Sequence, residues 1–245
     1  MRNDRPVALV TGGARRVGAA IVRRLHADHD VAVHCGRSRA EAEALAAELD
    51  GVRPGSVLVL QADLTEFDRL PEMIAQVVGR FGRLDALVNN ASAFFPTPLG
   101  TATPAQWDAL FGANARAPFF LSQAAAPHLR ATRGAIVDIT DLYAARPLRD
   151  HALYGMSKAA LVHMTRALAL DLAPDVRVNA IAPGAILWPD SGKSDAAKQA
   201  LLDRTPLQRI GTPEEVADAV RWLLRDATYV TGQVLRLDGG RMLEA

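Results

Sequence analysis

Short apolar runs alternate with longer stretches of helical periodicity along the whole chain. The runs Val7–Val10, Val31–His34, Val57–Gln61, Ala86–Val88, Ala135–Ile139, Arg177–Ile181 and Val234–Leu237 are mostly rich in Val, Ile and Leu, as strands buried on both faces should be. Between them, apolar residues return at helical spacing over Gly18–Ala27, Ala40–Leu49, Leu70–Phe81, Pro104–Leu129, Tyr154–Leu172 and Pro213–Leu224. Two of these helices open well. Thr103-Pro104 and Thr212-Pro213 each pair a threonine N-cap with proline at the first helical position, and Glu215 adds a capping-box acid to the second. Strand–helix alternation predicts an α/β fold: a Rossmann-like, doubly wound parallel sheet of seven strands with helices on both faces. No repeat, linker or composition break interrupts it, so residues 1–245 read as a single domain. The most irregular stretch, Ala185–Lys193, predicts a loop, with a helix following over Ser194–Asp203. A loop placed late in such a sheet often covers a ligand; a solvated connection reads equally well.

Composition narrows the partners. A length of 245 residues suits one doubly wound sheet, and the formal net charge of +1 comes without any block of like charge. Neither a nucleic acid nor a membrane surface is therefore expected as a partner. No run approaches the roughly 18 apolar residues of a membrane span, and the start, Met1 to Pro6, lacks the apolar stretch of a signal peptide. Cys35 is the only cysteine, so a reducing compartment, the cytoplasm, is the expectation. The six histidines show no metal-ligand spacing with it, and no metal is expected.

The first strand runs directly into Thr11-Gly12-Gly13-Ala14-Arg15-Arg16-Val17-Gly18, where the next helix begins. Glycines here permit a tight turn and close approach of backbone to a pyrophosphate, while the helix N-terminus supplies N–H groups and a favourable dipole. Gly12, Arg15, Arg16, Val17 and Gly18 are thus candidate dinucleotide contacts. Arg16 stands where such turns commonly carry a middle glycine. After the second strand, where an acid would grip a ribose 2′-hydroxyl, the chain reads Cys35-Gly36-Arg37-Ser38-Arg39. An acid would repel a 2′-phosphate, whereas Arg37 and Ser38 can bind one. The expected cofactor is NADPH/NADP+. Solvated arginines are the simpler alternative.

Tyr154 and Lys158 lie four residues apart, on one face if the segment is helical. A free phenol titrates near pH 10, out of range for neutral chemistry. A lysine cation beside it is expected to lower that value and make the pair a proton donor–acceptor.

With these motifs the chain resembles the short-chain dehydrogenase/reductase family over essentially its whole length. The match is carried by the Thr-Gly turn, Asp63-Leu64, Asn89-Asn90-Ala91, Asn114, Tyr154 with Lys158, Pro183-Gly184, and the tail Thr231-Gly232 and Asp238-Gly239-Gly240. The resemblance implies roles. Asp63 and Leu64 would meet the adenine. Asn89 would support the turn beside the adenosine ribose. Asn90, Ala91 and Ser92 would line the cofactor. Asn114 would hold a water in a relay to Lys158, which would also bind the nicotinamide ribose. Pro183 and Gly184 would flank the nicotinamide. The family usually forms homotetramers. Three departures are informative: Asp141 replaces the serine normally thirteen residues before the tyrosine, Arg16 replaces the glycine, and Ser92-Ala93-Phe94-Phe95-Pro96-Thr97-Pro98 follows Ala91. All three occur together in pteridine reductases. There, the resemblance implies, Asp141 and Tyr154 deliver the proton, Arg16 lies near phosphates and pterin, and Phe94 stacks on the pterin.

Elementary electrostatics agrees. Hydride reaching a ketone carbon builds negative charge on oxygen, and an ionised aspartate at 4 Å opposes it by about 4 kcal/mol at an effective dielectric near 20, roughly a thousandfold in rate. A ring C=N is different, because its nitrogen must gain a proton and a nearby carboxylate favours that. Substrate contacts are therefore expected from Arg16, Ser92, Phe94, Asp141 and Tyr154, with Trp188 as a possible wall of the pocket. Other readings stay open. A buried, protonated Asp141 could mimic serine in a ketone reductase, Phe94 could be core packing, and the chain could be a non-catalytic dinucleotide-binding regulator.

Overall fold

The computed structural model describes residues 5–188 and 194–243. Along the chain run β1 (Val7–Val10), α1 (Arg16–His26), β2 (Asp30–Cys35), α2 (Arg39–Val52), β3 (Val57–Gln61), α3 (Leu70–Phe81) and β4 (Ala86–Asn89). There follow α4 (Pro104–Phe111), α5 (Ala117–Thr132), β5 (Ala135–Ile139), α6 (Ala152–Leu172), β6 (Arg177–Pro183), α7 (Asp195–Asp203), α8 (Pro213–Arg225) and β7 (Val234–Leu237). The strands form one seven-stranded sheet in the order β3-β2-β1-β4-β5-β6-β7, with every pairing parallel. The Rossmann-like expectation is met.

Successive side chains on a strand face opposite ways, so each strand feeds two cores. Leu9, Leu87, Ile136 and Val178 pack against the helices α3, α5 and α6. Val10, Val33, Val88 and Val137 pack against α1, α2 and α8. Because β1 leads to β2 and β3 on one side while β4 returns to its other side, the loops after β1 and β4 diverge. A crevice opens at the carboxyl ends there, the usual ligand position in such sheets.

One predicted helix is two. The periodicity over Pro104–Leu129 is interrupted at Gly112–Arg116 by a wide turn with i→i+5 hydrogen bonding. Pro118 then opens α5; proline is at home in a first helical turn, where its missing N–H costs nothing. Such turns inside helices frequently sit at functional sites, and this one carries Asn114. Both predicted threonine caps are present. The box at Thr212 is completed by Glu215, and that at Thr103 by Gln106. The helix over Asp195–Asp203 is capped by Ser194. The predicted loop 185–193 is seen as far as Trp188; residues 189–193 lie outside the described residues. No described helix is long and apolar enough to cross a membrane.

Candidate active site

The glycine turn is built by close approach. Gly12 has φ +60°, and a Cβ there would stand 3.1 Å from the Ala91 Cα. At Gly18 a Cβ would fall 2.1 Å from the Gly12 carbonyl oxygen, so only glycine lets the helix start meet the turn. Arg16 has φ +53°, a left-handed conformation that a non-glycine residue adopts at a cost of about 1 kcal/mol. This explains why the position is commonly glycine and marks Arg16 as a residue held for its side chain. A cleft of about 390 Å³ lies against this turn, lined by Gly12, Arg15, Arg16, Val17, Gly18, Cys35, Ser38, Asn90, Ala91 and Ser92. A dinucleotide pyrophosphate fits this cradle at the start of α1, where backbone N–H groups point outward.

Asn90 takes the supporting role expected of Asn89. Asn90 Nδ2 donates to the carbonyls of Thr11 (2.9 Å) and Gly12 (3.1 Å) and so supports the turn. Asn89, expected to do this, points into the core, where its Nδ2 donates to Asp138 Oδ1 at 2.8 Å. The cause is strand alternation: Asn89 is the last residue of β4, in register with Asp138 on β5.

Of the arginines after β2, Arg39 is engaged by Glu43 at 2.7 Å and by Gln61 at 3.3 Å. Arg37 is exposed and, among the described residues, makes no hydrogen bond. Asp63 is exposed, its Oδ1 accepting from Thr65 N (2.9 Å) and Oγ1 (2.7 Å). It lines a shallow depression next to β3 rather than the glycine cleft. Leu64 is a core residue. Gly184 lies against β7, where a Cβ would meet the Asp238 Cα at 2.8 Å, and Pro183 ends β6 in register with Leu237. Trp188 is half-buried at the end of its described segment and does not line the glycine cleft.

Asp141, Tyr154 and Lys158 converge, and Asn114 braces the segment carrying Ser92. Tyr154 Oη donates to Asp141 Oδ2 at 2.6 Å. The other carboxylate oxygen caps a short 3-10 turn, Leu142–Ala144, by accepting from Tyr143 N at 2.8 Å. Lys158, on the same face of α6 as Tyr154, is buried and donates to the Ile139 carbonyl at 2.9 Å. Asn114 is fully occupied as a brace. Its Nδ2 donates to Ala93 O (2.9 Å) and Ser157 Oγ (3.0 Å), and its Oδ1 accepts from Ala93 N and Ser92 Oγ, both at 2.9 Å. Its side chain thus fixes the segment carrying Ser92 and Phe94.

Burial and Asp141 set the electrostatics of the phenol. Tyr154 is pushed well above the ordinary phenol range, first by burial and then by the Asp141 charge and hydrogen bond, with the Ser92 hydroxyl opposing. The Lys158 Nζ lies 6.0 Å from the ring centroid, and burial with Asp141 dominates the shift. Burial pulls Lys158 down to about 8, against the pull of Asp141 and Asp138. Burial also raises Asp141, opposed by its hydrogen bonds from Tyr143 and Tyr154 and by Lys158. The Asp141–Tyr154 pair is therefore a proton reservoir: a neutral phenol held by a carboxylate.

Phe94 is 56% exposed, which removes the core-packing alternative. Its ring meets Tyr154 edge-on at 4.7 Å and stacks on His151 at 4.8 Å. A flat apolar surface is thus presented beside the proton donor. The sequence reading missed His151, Ser157 and His34, whose Nδ1 accepts from Gly12 N at 3.2 Å. His34 precedes Arg37 by three residues and His151 precedes Tyr154 by three, and that proximity was the only sequence signal they gave.

The model of a family described as enoyl-(acyl carrier protein) reductase matches residues 12–241. The chain is 37% identical to pteridine reductase 1 of Leishmania tarentolae, over 97% of this chain and 96% of that protein. It is 35% identical to a 3-oxoacyl-(acyl-carrier-protein) reductase of Thermotoga maritima, over 99% and 100% respectively. An L-fucose dehydrogenase of Mus musculus is 38% identical, over 97% of this chain and 88% of that protein.

Proposed function

The chain belongs to the short-chain dehydrogenase/reductase family, and from that premise we propose that it is an NADPH-dependent pteridine reductase, reducing a C=N bond of a pterin. The observation that carries this reading is the 2.6 Å hydrogen bond from the Tyr154 phenol to the Asp141 carboxylate. A carboxylate behind the phenol helps a ring nitrogen gain a proton and hinders an oxygen gaining negative charge.

When bound, the nicotinamide supplies the hydride. The residues of the chain do the rest. Phe94 offers one face to the pterin ring, and the exposed Ser92 and Arg16 offer polar groups to its edge and to the phosphates. Tyr154 releases its proton from Oη to the ring nitrogen as that nitrogen becomes basic. The phenolate left behind is reprotonated through Asp141, whose carboxyl, hydrogen-bonded to Oη, passes on a proton taken from solvent. Lys158, buried and cationic below about pH 8, balances the carboxylate. Preference for NADPH is supported by the exposed Arg37 and by the absence of a carboxylate over residues 35–39. A homotetramer is supported by half-exposed apolar side chains on adjoining helices, Phe119 on α5 and Met156 on α6.

One observation favours a second reading. Burial raises the Asp141 carboxyl, and a protonated carboxyl could donate to a ketone oxygen as serine does. Likeness to a 3-oxoacyl reductase goes the same way. NADPH oxidation measured against dihydropterins, oxidised pterins, dihydrofolate and simple ketones separates the two. Higher kcat/KM for a pterin is expected; turnover of ketones with pterins untouched overturns the proposal.

A further inference from the structure

We propose that His34, as a neutral imidazole carrying its proton on Nε2, is a positioning residue that holds the glycine turn in its dinucleotide-receptive shape. The proposal rests on the reading of that turn as the cofactor cradle.

The ring bridges the glycine turn and the residue that follows β3. Nδ1 faces the Gly12 amide nitrogen at 3.2 Å, and Nε2 faces the Ala62 carbonyl oxygen at 3.1 Å. An amide N–H can only donate and a carbonyl can only accept. The partners therefore assign the tautomer: bare Nδ1, protonated Nε2. The backbone repeats the grip one residue on, since Gly13 N donates to the His34 carbonyl at 2.9 Å. From the opposite side Asn90 takes the Gly12 carbonyl. Gly12, with its left-handed φ, is thus held by its amide and by its carbonyl. Ala62 directly follows β3, so one imidazole ties the glycine turn to the end of the neighbouring strand.

The imidazole is only 2% exposed, so water cannot readily replace either bond. A second proton, on Nδ1, would set N–H against the Gly12 N–H and break the grip. Burial holds the ring below the usual histidine range, opposed by the Ala62 bond and by Asp63, the one charged group bearing on the ring. The neutral form is therefore the resting state, and charging it in acid loosens the turn. Cofactor affinity should fall as pH drops, independently of the Asp141–Tyr154 pair.

Two variants split the bonds. In His34→Asn the amide oxygen occupies the place of Nδ1 and keeps the acceptor for Gly12. In His34→Gln the amide nitrogen occupies the place of Nε2 and keeps only the donor to Ala62. NADPH dissociation constants by nicotinamide fluorescence from pH 5 to 8, and the tautomer by nitrogen-15 NMR of the free protein, test the idea. The expected result is an Nε2–H tautomer and about a tenfold weaker NADPH affinity for His34→Gln than for His34→Asn, the scale of one unmade buried hydrogen bond. The loss should appear in the NADPH KM rather than in kcat, and neither variant should keep the acid weakening of the wild type. An Nδ1–H tautomer overturns the proposal, and so does equal weakening by both variants, which is what a packing role would give. A wild type that binds neither NADPH nor NADH fails the cradle reading itself and takes this proposal with it.

Discussion

Tyr154 keeps its proton more tightly than a free tyrosine because burial and Asp141 both oppose a phenolate. A donor of this kind works only on an acceptor that becomes strongly basic during reaction, as a ring nitrogen does when hydride reaches the neighbouring carbon. Removing the phenolic hydroxyl in Tyr154→Phe should lower kcat for dihydropterin at least a hundredfold, the usual worth of a positioned acid. An unchanged stopped-flow rate would take the phenol out of the mechanism. Asp141→Ser should impair pterin reduction and spare or improve ketone reduction; undiminished pterin turnover would show that the carboxylate is dispensable. The alkaline limb of kcat belongs to Lys158, whose value of about 8 is held up by the Asp141 charge. Asp141→Asn removes that charge, so the limb should move to lower pH, and a pH–rate profile shows whether it does. Tyr154 and Lys158 could be read from residue type and spacing, and Asp141 and Phe94 from the resemblance to pteridine reductases. His34 and the support of the turn by Asn90 in place of Asn89 could not. Their roles consist of hydrogen bonds such as those from Gly12 to His34 and from Asn90 to Thr11, which exist only after β1, β2 and β4 have come together.

At the scale of elements, the strands were legible because a parallel strand covered on both faces must be a short apolar run. The break between α4 and α5 was not. Apolar periodicity continues across Gly112–Arg116, since the wide turn changes the hydrogen-bond ladder without exposing the buried face. The break presents Asn114 to the backbone of Ala93 and to Ser92 and Ser157. Asn114→Ala removes all four bonds and leaves Ala93 N–H and C=O without these partners. A loss of about 2–4 kcal/mol follows from unmet buried groups, together with a looser Ser92–Phe94 segment. Calorimetry should record a lower Tm, and the pterin KM should rise. If melting is unaffected, the asparagine is not the brace described. A Thr212→Ala change offers a contrast. It removes a cap worth about 1 kcal/mol at a helix remote from Tyr154, so it should lower stability and leave the pterin KM alone.

The whole molecule carries a charge problem at its centre. Asp138 sits on β5 with no exposed surface, accepting from Asn89 Nδ2 at 2.8 Å and Thr165 Oγ1 at 2.7 Å. Burial raises it to about 6 despite those bonds and Lys158. In the unfolded chain an aspartate titrates near 3.9, so the fold binds this proton more tightly than the open chain does. The stabilising contribution is complete below about pH 4 and disappears as pH rises through about 6. At pH 7 the ionised carboxylate therefore weighs against the fold. Asp138→Asn should relieve it without orphaning a partner. The amide oxygen can accept from Asn89, and the amide nitrogen can donate to the Thr165 hydroxyl, whose own proton then turns to Leu161 O at 3.0 Å. The variant and the wild type should melt together at pH 4. At pH 7, still below the lysine's own titration, the variant should be more stable by roughly 2–3 kcal/mol, or about 5–10 °C in Tm for a chain of this size. Equal melting at both pH values would mean that Asp138 is not penalised by its burial, and a lower Tm at pH 7 would mean that its attraction to Lys158 outweighs the loss of solvent.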